Sequence, residues 1–261
     1  MRFNILPNTS FLIIVLSLFL ASCGGDYTWG WHVIDPTKTS GQNNIEFLIG
    51  GLFGTIQMSI VAILISMTAG LLISFPGIST NRYLLAINIS YVAIFRSIPV
   101  LVMILWIYYG LPVIFEINLG LFAAGVLALA ICDSPFQAEI FRSGIQSIEL
   151  GQHEAAESMG LTYFQKMRLI ILPQAIRRII PPLGNQFVYM LKMSSLVSVI
   201  GYSDLTRRAT ELVVNEYRPL EIYTFLIFEY LILILAVTYF VRRLEKYLKR
   251  NETLQNPRSK I

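Results

Sequence analysis

The stretch that decides the reading is Arg142-Ser143-Gly144-Ile145-Gln146-Ser147-Ile148-Glu149-Leu150-Gly151-Gln152-His153-Glu154-Ala155-Ala156-Glu157-Ser158-Met159-Gly160, continuing through Leu161 to Leu172-Pro173. It is long, only moderately apolar, and set between apolar runs of bilayer length. Gln152 to Met159 suits a helix that Gly160 stops. Ala155 and Ala156 give that helix a small-residue face. Leu161 to Leu172 reads as a second helix closed by Pro173. A helix–turn–helix exposed on a membrane protein either meets a soluble partner or lies as an amphipathic hairpin on the lipid headgroups.

The flanking runs give the fold class. The chain has 261 residues, 55% hydrophobic and 14% charged, where a soluble domain carries about 25% charged residues. Lipid is therefore the solvent for much of the surface. Long spans are expected at Leu48 to Phe75, closed by Pro76-Gly77, within Leu84 to Leu111, at Leu119 to Ile140 and at Ile222 to Val241. A further apolar stretch, Ile179 to Ile200, carries Pro181, Pro182, Asn185, Gln186, Lys192 and serines, so its polar side should face protein or water. The sequence thus predicts an all-α membrane protein with about five core transmembrane helices, and holds no internal repeat.

Loop charge sets the orientation. Arg82, the Arg142–Arg178 loop, and Arg242, Arg243, Lys246, Lys249 and Arg250 fall on one side, which the positive-inside rule assigns to the cytoplasm. The net charge of +4 has this topological origin. The basic residues flank apolar spans instead of forming a basic face with interleaved aromatics, which excludes a nucleic-acid role. Cys23, Cys132, His32 and His153 lack metal-ligand spacing, so no metal site is expected.

The N-terminus falls into two segments. Residues 1–22, with the apolar run Phe11 to Ala21, read as a signal peptide or an uncleaved signal-anchor helix. Leu20-Ala21-Ser22-Cys23 resembles a bacterial lipobox, which makes Cys23 the candidate for lipidation. Residues 23–46 follow as an extracytoplasmic segment in which Trp29 and Trp31 favour the membrane–water interface. The body is expected over 47–247, with the loop at about 142–174 and a cytoplasmic tail at 248–261.

Glu154-Ala155-Ala156, three residues, Gly160, nine residues, Ile170, one residue, then Leu172-Pro173 resembles the EAA loop of ATP-binding-cassette (ABC) importer permeases, and all seven fixed positions agree. Arg142 to Ile148, Pro181-Pro182-Leu183-Gly184-Asn185-Gln186, Asp204-Leu205-Thr206-Arg207 and Arg242-Arg243-Leu244-Glu245 are similar to polar amino acid permeases of that type. The likeness covers about residues 45–247. It implies a type I importer permease fold in the bacterial inner membrane. The implied partners are a second permease subunit, a cytoplasmic ABC ATPase docked on the loop, an extracytoplasmic solute-binding protein and membrane lipid; the cargo is an amino acid. The chain has no G-x-x-x-x-G-K-[ST] phosphate loop, so it is no enzyme by itself and needs no cofactor beyond the ATP of its partner.

The resemblance also supplies the site residues and marks departures. Glu154, Ala155, Ala156, Gly160, Ile170, Leu172 and Pro173 are the coupling candidates. Arg96, Pro99, Lys192, Met193, Ser194 and Ser195 are the candidates for the translocation path. Where the family has R-G-T-P this chain has Arg96-Ser97-Ile98-Pro99, Ala93 replaces an acid, and Met193 replaces the acid of K-D-[ST]-S-L. Ser134-Pro135-Phe136 stands where the family has a Tyr-containing triplet. Glu154 has a second reading as a first-turn acid favoured by the helix dipole. Lys192 either meets substrate or pairs with Asp133 or Glu139, and the serines either donate to substrate or bond helix carbonyls. Two rivals stand beside an importer of a neutral or acidic amino acid: an ion-coupled carrier, which should show two similar halves, and a scaffold that has lost transport.

Overall fold

The computed structural model describes residues 27–79 and 81–255. The expectations for residues 1–22 and for Cys23 lie outside the described residues. Residues up to Trp31 belong to a unit apart from His32–Ile261. Within it Trp29 stacks on Trp31 at 5.5 Å, with the edge of Tyr27 against Trp29.

All regular structure among the described residues is helical. An outer helix α1 (Thr39–Ile49) leads directly into α2 (Gly51–Ile78). Along α2 most buried positions are small: Gly51, Thr55, Ser59, Ala62, Ser66 and Gly70 recur every three or four residues, with Met58 and Ile63 the large exceptions. Small side chains let two membrane helices approach closely, where dispersion and hydrogen bonds replace the hydrophobic effect. Pro76-Gly77 lie inside α2 instead of closing it. One proline removes one ladder bond. The helix runs two residues past Pro76 to Ile78, and Asn88 packs against this end: it donates to Ile73 O at 2.7 Å, and a Cβ at Gly77 would lie 2.8 Å from its side chain.

The stretch expected to cross as one span is broken. Helix α3 (Arg82–Arg96) ends at Ser97, and α4 (Val100–Leu105) leaves at 92°. Pro99 sits extended at the corner, as a proline and the residue before it prefer. A π-turn, Trp106–Gly110, then joins α4 to α5 (Leu111–Phe115). Helix α6 (Leu121–Gln146) is the centre of the bundle and packs against α2, α3, α4 and the later segment Leu172–Ile200.

After α6 come α7 (Leu150–Ser158), α8 (Tyr163–Lys166), a second π-turn (Met167–Ile171) and α9 (Leu172–Met193). Pro173 therefore opens α9 and does not close the preceding helix. Both π-turns stand just before a proline, Pro112 or Pro173, which falls in the first two positions of the next α segment. The backbone is already helical before each proline, so it is the wider π-turn that accommodates the missing N–H. Helix α9 holds Pro181-Pro182 in its interior and continues as a 3-10 turn, Ser194–Ile200, ended by Gly201 at φ 99°. Helices α10 (Leu205–Glu216) and α11 (Pro219–Gln255) complete the chain.

Three apolar helices, Thr39–Ile78, Leu121–Gln146 and Pro219–Tyr247, are long enough to cross a bilayer, and the bent α3–α5 pair makes a fourth. Helix α9 falls outside that set because of its polar residues, in line with a span lined by protein or water. Helix α11 packs Leu226, Tyr230, Leu233 and Val237 against the bundle, while Ile227, Phe228, Ile232, Leu235 and Phe240 leave an exposed apolar face for lipid or another subunit.

Asp204 caps α10, accepting from Arg207 N at 2.7 Å through Oδ1. Its Oδ2 is buried with no partner among the described residues. Burial pushes this carboxyl up to about 7, against the pull of backbone N–H groups. A raised carboxyl favours the folded state at low pH and loses that advantage as pH rises from the unfolded value towards 7. Asp204→Asn keeps the cap without the charge. It should match or exceed the wild type in thermal stability at pH 8, while Asp204→Ala should lose about 1 kcal/mol. Melting curves in detergent at pH 5 and pH 8 check both.

Candidate functional site: a coupling loop and a polar helix face

The loop is built around α7. That helix starts at Leu150, earlier than expected, so Glu154 is its fifth residue and not a first-turn acid. The helix-dipole reading of Glu154 therefore fails, because the macrodipole acts within the first turn. Ala155 and Ala156 do not share a face: Ala156 is 2% exposed and packs inward, while Ala155 is exposed. Adjacent helix residues point about 100° apart.

Gly160 lies at φ 73° and ends the helix. Leu161 N bonds Ala156 O at 3.2 Å and Gly160 N bonds Glu157 O at 2.9 Å, the paired bonds of a left-handed C-terminal cap. The outer surface carries Glu154 and Ala155 together with Leu150, Met159, Tyr163 and Phe164, each at least 70% exposed. Such a cluster of exposed apolar side chains at one end of the bundle has the composition of an interaction surface.

Underneath, the loop is braced. Thr162 and Gln165 form a capping box on α8. Lys166, 9% exposed, donates to Glu157 at 2.6 Å and ties α8 to α7. This hydrogen bond, and then the lysine charge, hold the Glu157 carboxyl below its usual value. Ile171 is fully buried with Ile145, Ile148, Ala175 and Ile179 at the root, Ile170 packs against that cluster, and Leu172 and Pro173 are exposed. A cavity of about 870 Å3 between α7 and the ends of α2 and α6 is lined by Ser79, His153 and Lys166 among others. Sequence reasoning passed over Lys166 and Glu157. They lie nine apart across a turn, a spacing that carries no helical signal.

The path candidates gather around α9 and the α3–α4 corner. Tyr189 and Lys192 are exposed, and the Lys192 ammonium makes no hydrogen bond or ion pair among the described residues. It pairs with neither expected carboxylate. Glu139 binds Arg142 at 3.0 Å. Asp133, 4% exposed, accepts from Ser66 Oγ on α2, from Gln137 Nε2 on its own helix at 2.8 Å and from Gln186 Nε2 on α9. These bonds join three helices at one carboxylate.

Arg96 is exposed at the corner next to Pro99, its guanidinium 4.7 Å from the centre of the Phe136 ring. It too makes no hydrogen bond or ion pair among the described residues. Met193 lines a cavity of about 20 Å3 with Val100, Asp133, Phe136 and Tyr189. Ser194 is buried and donates to Leu191 O at 2.9 Å, and Ser195 donates to Lys192 O at 2.7 Å. Both hydroxyls are spent on their own helix, which removes them as substrate donors in this state.

Residues 67–250 match the family described as binding-protein-dependent transport system inner membrane component. The chain belongs to this family. The permease is 38% identical to the probable glutamine permease GlnM of Bacillus subtilis over 213 residues, 80% of this chain and 96% of that one. It is 34% identical to the glutamine permease GlnP of Escherichia coli K12 (84% and 97% covered) and 33% identical to the arginine permease ArtQ of B. subtilis (80% and 95%). The crystal structure of an amino acid ABC transporter with histidines superposes with a TM-score of 0.77 at 37% identity, covering 85% of this chain and all of that one. The fold is thus that of an ABC importer permease, a multi-pass membrane protein acting with other subunits and not an enzyme.

Proposed function

We propose that this permease passes a neutral polar or acidic amino acid inward across the bacterial inner membrane. A separate ATPase docks on α7 and drives it, and an extracytoplasmic solute-binding protein delivers the cargo. The observation that carries the substrate reading is the charge of the path. The side chains of Arg96 and Lys192 are exposed and make no ion pair among the described residues, while the buried carboxylate of Asp133 already holds three donors. A cationic side chain entering such a path meets like charge and no free acid, and an unpaired ammonium out of water is expensive. Met193, in place of an acid, adapts its shape to an apolar side-chain stem. Relatives named for glutamine support the reading, whereas the one named for arginine shows that the family also serves cations.

Proteoliposomes holding the complete transporter, supplied with radiolabelled glutamine, glutamate and arginine, test it. Glutamine or glutamate should enter at least about tenfold faster than arginine, the discrimination that about 1.4 kcal/mol gives. Preferential ATP-dependent arginine uptake would overturn the charge argument.

A further inference from the structure

Helix α7 presents two faces. Glu154, Ala155 and Ser158 are exposed on the outer one. Gln152, His153, Ala156 and Glu157 fall within about 140° of the helix circumference, and this inner face meets the chain that leads into α9. Ala156 is 2% exposed, and its carbonyl accepts from Leu161 N at 3.2 Å. Gln152 accepts from Gln174 Nε2 on α9 at 3.2 Å, and Glu157 accepts from Lys166 Nζ on α8 at 2.6 Å. From Tyr163 the helix runs through the Met167–Ile171 π-turn into α9 without a gap. Helix α7 is thus joined to α9 by a short turn at residues 159–162 and by two side-chain ties across it. We propose that Glu157 and Lys166 are positioning residues for transport: their ion pair locks α7 to α8, so that movement of α7 by the docked ATPase passes to α9 instead of being lost by bending at the turn.

The turn needs such a lock. Gly160 lies at its centre with φ 73° and nothing within 4 Å of an added Cβ, so no neighbour packs against the bend. Lys166 is the opposite case: 9% exposed, beside the Tyr163 ring, with Glu157 as its ion-pair partner among the described residues. A charge largely withdrawn from water holds to the partner it has. Glu157 and Lys166 both line the cavity of about 870 Å3 beneath α7, which gives α7 room to tilt inward once the tie is cut. Beyond the lock, α9 carries Gln186, which donates to Asp133 on α6, and the exposed Tyr189 and Lys192. The pair therefore sits between the surface offered to the ATPase and the helix that holds most of the path candidates. Neither residue is among the seven positions that carry the loop's family resemblance. Glu157 is open to water, which screens the attraction, so a moderate effect is expected.

This inference rests on the reading that a separate ATPase docks on α7, but not on the charge preference of the path. The test uses the complete transporter in proteoliposomes and measures ATP hydrolysis and the uptake of radiolabelled glutamine, glutamate and arginine, supplied together, in the same vesicles. The quantity read is amino acid accumulated per ATP hydrolysed. Lys166→Met and Glu157→Ala should capture the ATPase and hydrolyse ATP as the wild type does, yet accumulate about threefold less per ATP, a factor within the range of a partly exposed ion pair. Glu157→Gln keeps an acceptor for Lys166 and should retain most of the ratio, while Glu157→Lys sets like charges together and should lose the most. Should Lys166→Met not fold, the Glu157 series decides, because that side chain is exposed and its replacement leaves no hole. A Glu157→Lys transporter with the wild-type ratio would overturn the lock. So would a series in which capture and hydrolysis fall in step with uptake, since the pair would then serve only the docking platform. A wild type that takes up amino acids without ATP would instead refute the ATPase reading itself.

Discussion

Gly160→Val should leave the permease in the membrane and abolish capture of its ATPase. Gly160 holds a left-handed backbone at φ 73°, and a Cβ there would touch nothing within 4 Å. The penalty is therefore conformational and not steric with neighbours: about 1–2 kcal/mol for an L-residue in that region, at the upper end for a β-branched one. The chain escapes the strain by unwinding the end of α7, which displaces Met159 and the bonds of Leu161 and Gly160 to Ala156 and Glu157. Gly160→Asn, which tolerates the same conformation, should retain capture. Glu154→Lys should fail for a separate reason, since it reverses the charge on the exposed face while the helix stands. Pull-down of the ATPase by tagged permease from solubilised membranes checks all three. Wild-type capture by Gly160→Val or Glu154→Lys would sink the docking role of α7.

A second large effect is expected at Gly70. A Cβ at this position would lie 2.4 Å from Gln137 Cβ and 2.9 Å from Ala138 N, the latter a backbone atom that cannot yield. Gly70→Leu must therefore push α2 away from α6 one turn from the Ser66–Asp133 bond. Overpacking of this kind costs about 3 kcal/mol or more, roughly a 10 °C fall in melting temperature at this size. Gly151, exposed on α7 with nothing within 4 Å of its added Cβ, is the control. Gly151→Ala should raise helix stability by a fraction of about 1 kcal/mol. Melting of each variant in detergent gives the comparison, and a Gly70→Leu protein as stable as the wild type would contradict the close α2–α6 packing.

The coupling loop was legible because its information is local: residue identities at fixed spacing, a glycine at a turn and apolar spans on either side. Helix ends were less so. Pro76 and Pro173 read as stops, yet one helix runs two residues past Pro76 to Ile78, and at Pro173 the wider Met167–Ile171 turn passes directly into α9. The small-residue stripe from Gly51 to Gly70 was visible at helical spacing, but hydropathy weighs Gly, Ser and Thr as neutral and hides their packing role. Asp133 shows the limit most clearly. It entered the sequence reading as one possible partner for Lys192, while its actual partners Ser66 and Gln186 lie 67 and 53 residues away. No spacing rule reaches that far. Only the fold brings the three helices to one carboxylate.

The central claim is that transport through this permease is driven by a partner's ATP hydrolysis. Proteoliposomes containing the permease, its ATPase and its binding protein, loaded with ATP and treated with ionophores that collapse proton and sodium gradients, test it most directly. Amino acid accumulation that persists under the ionophores and stops when ATP is withheld is the predicted result. Accumulation that continues without ATP and vanishes with the ion gradients would contradict the account and identify an ion-coupled carrier.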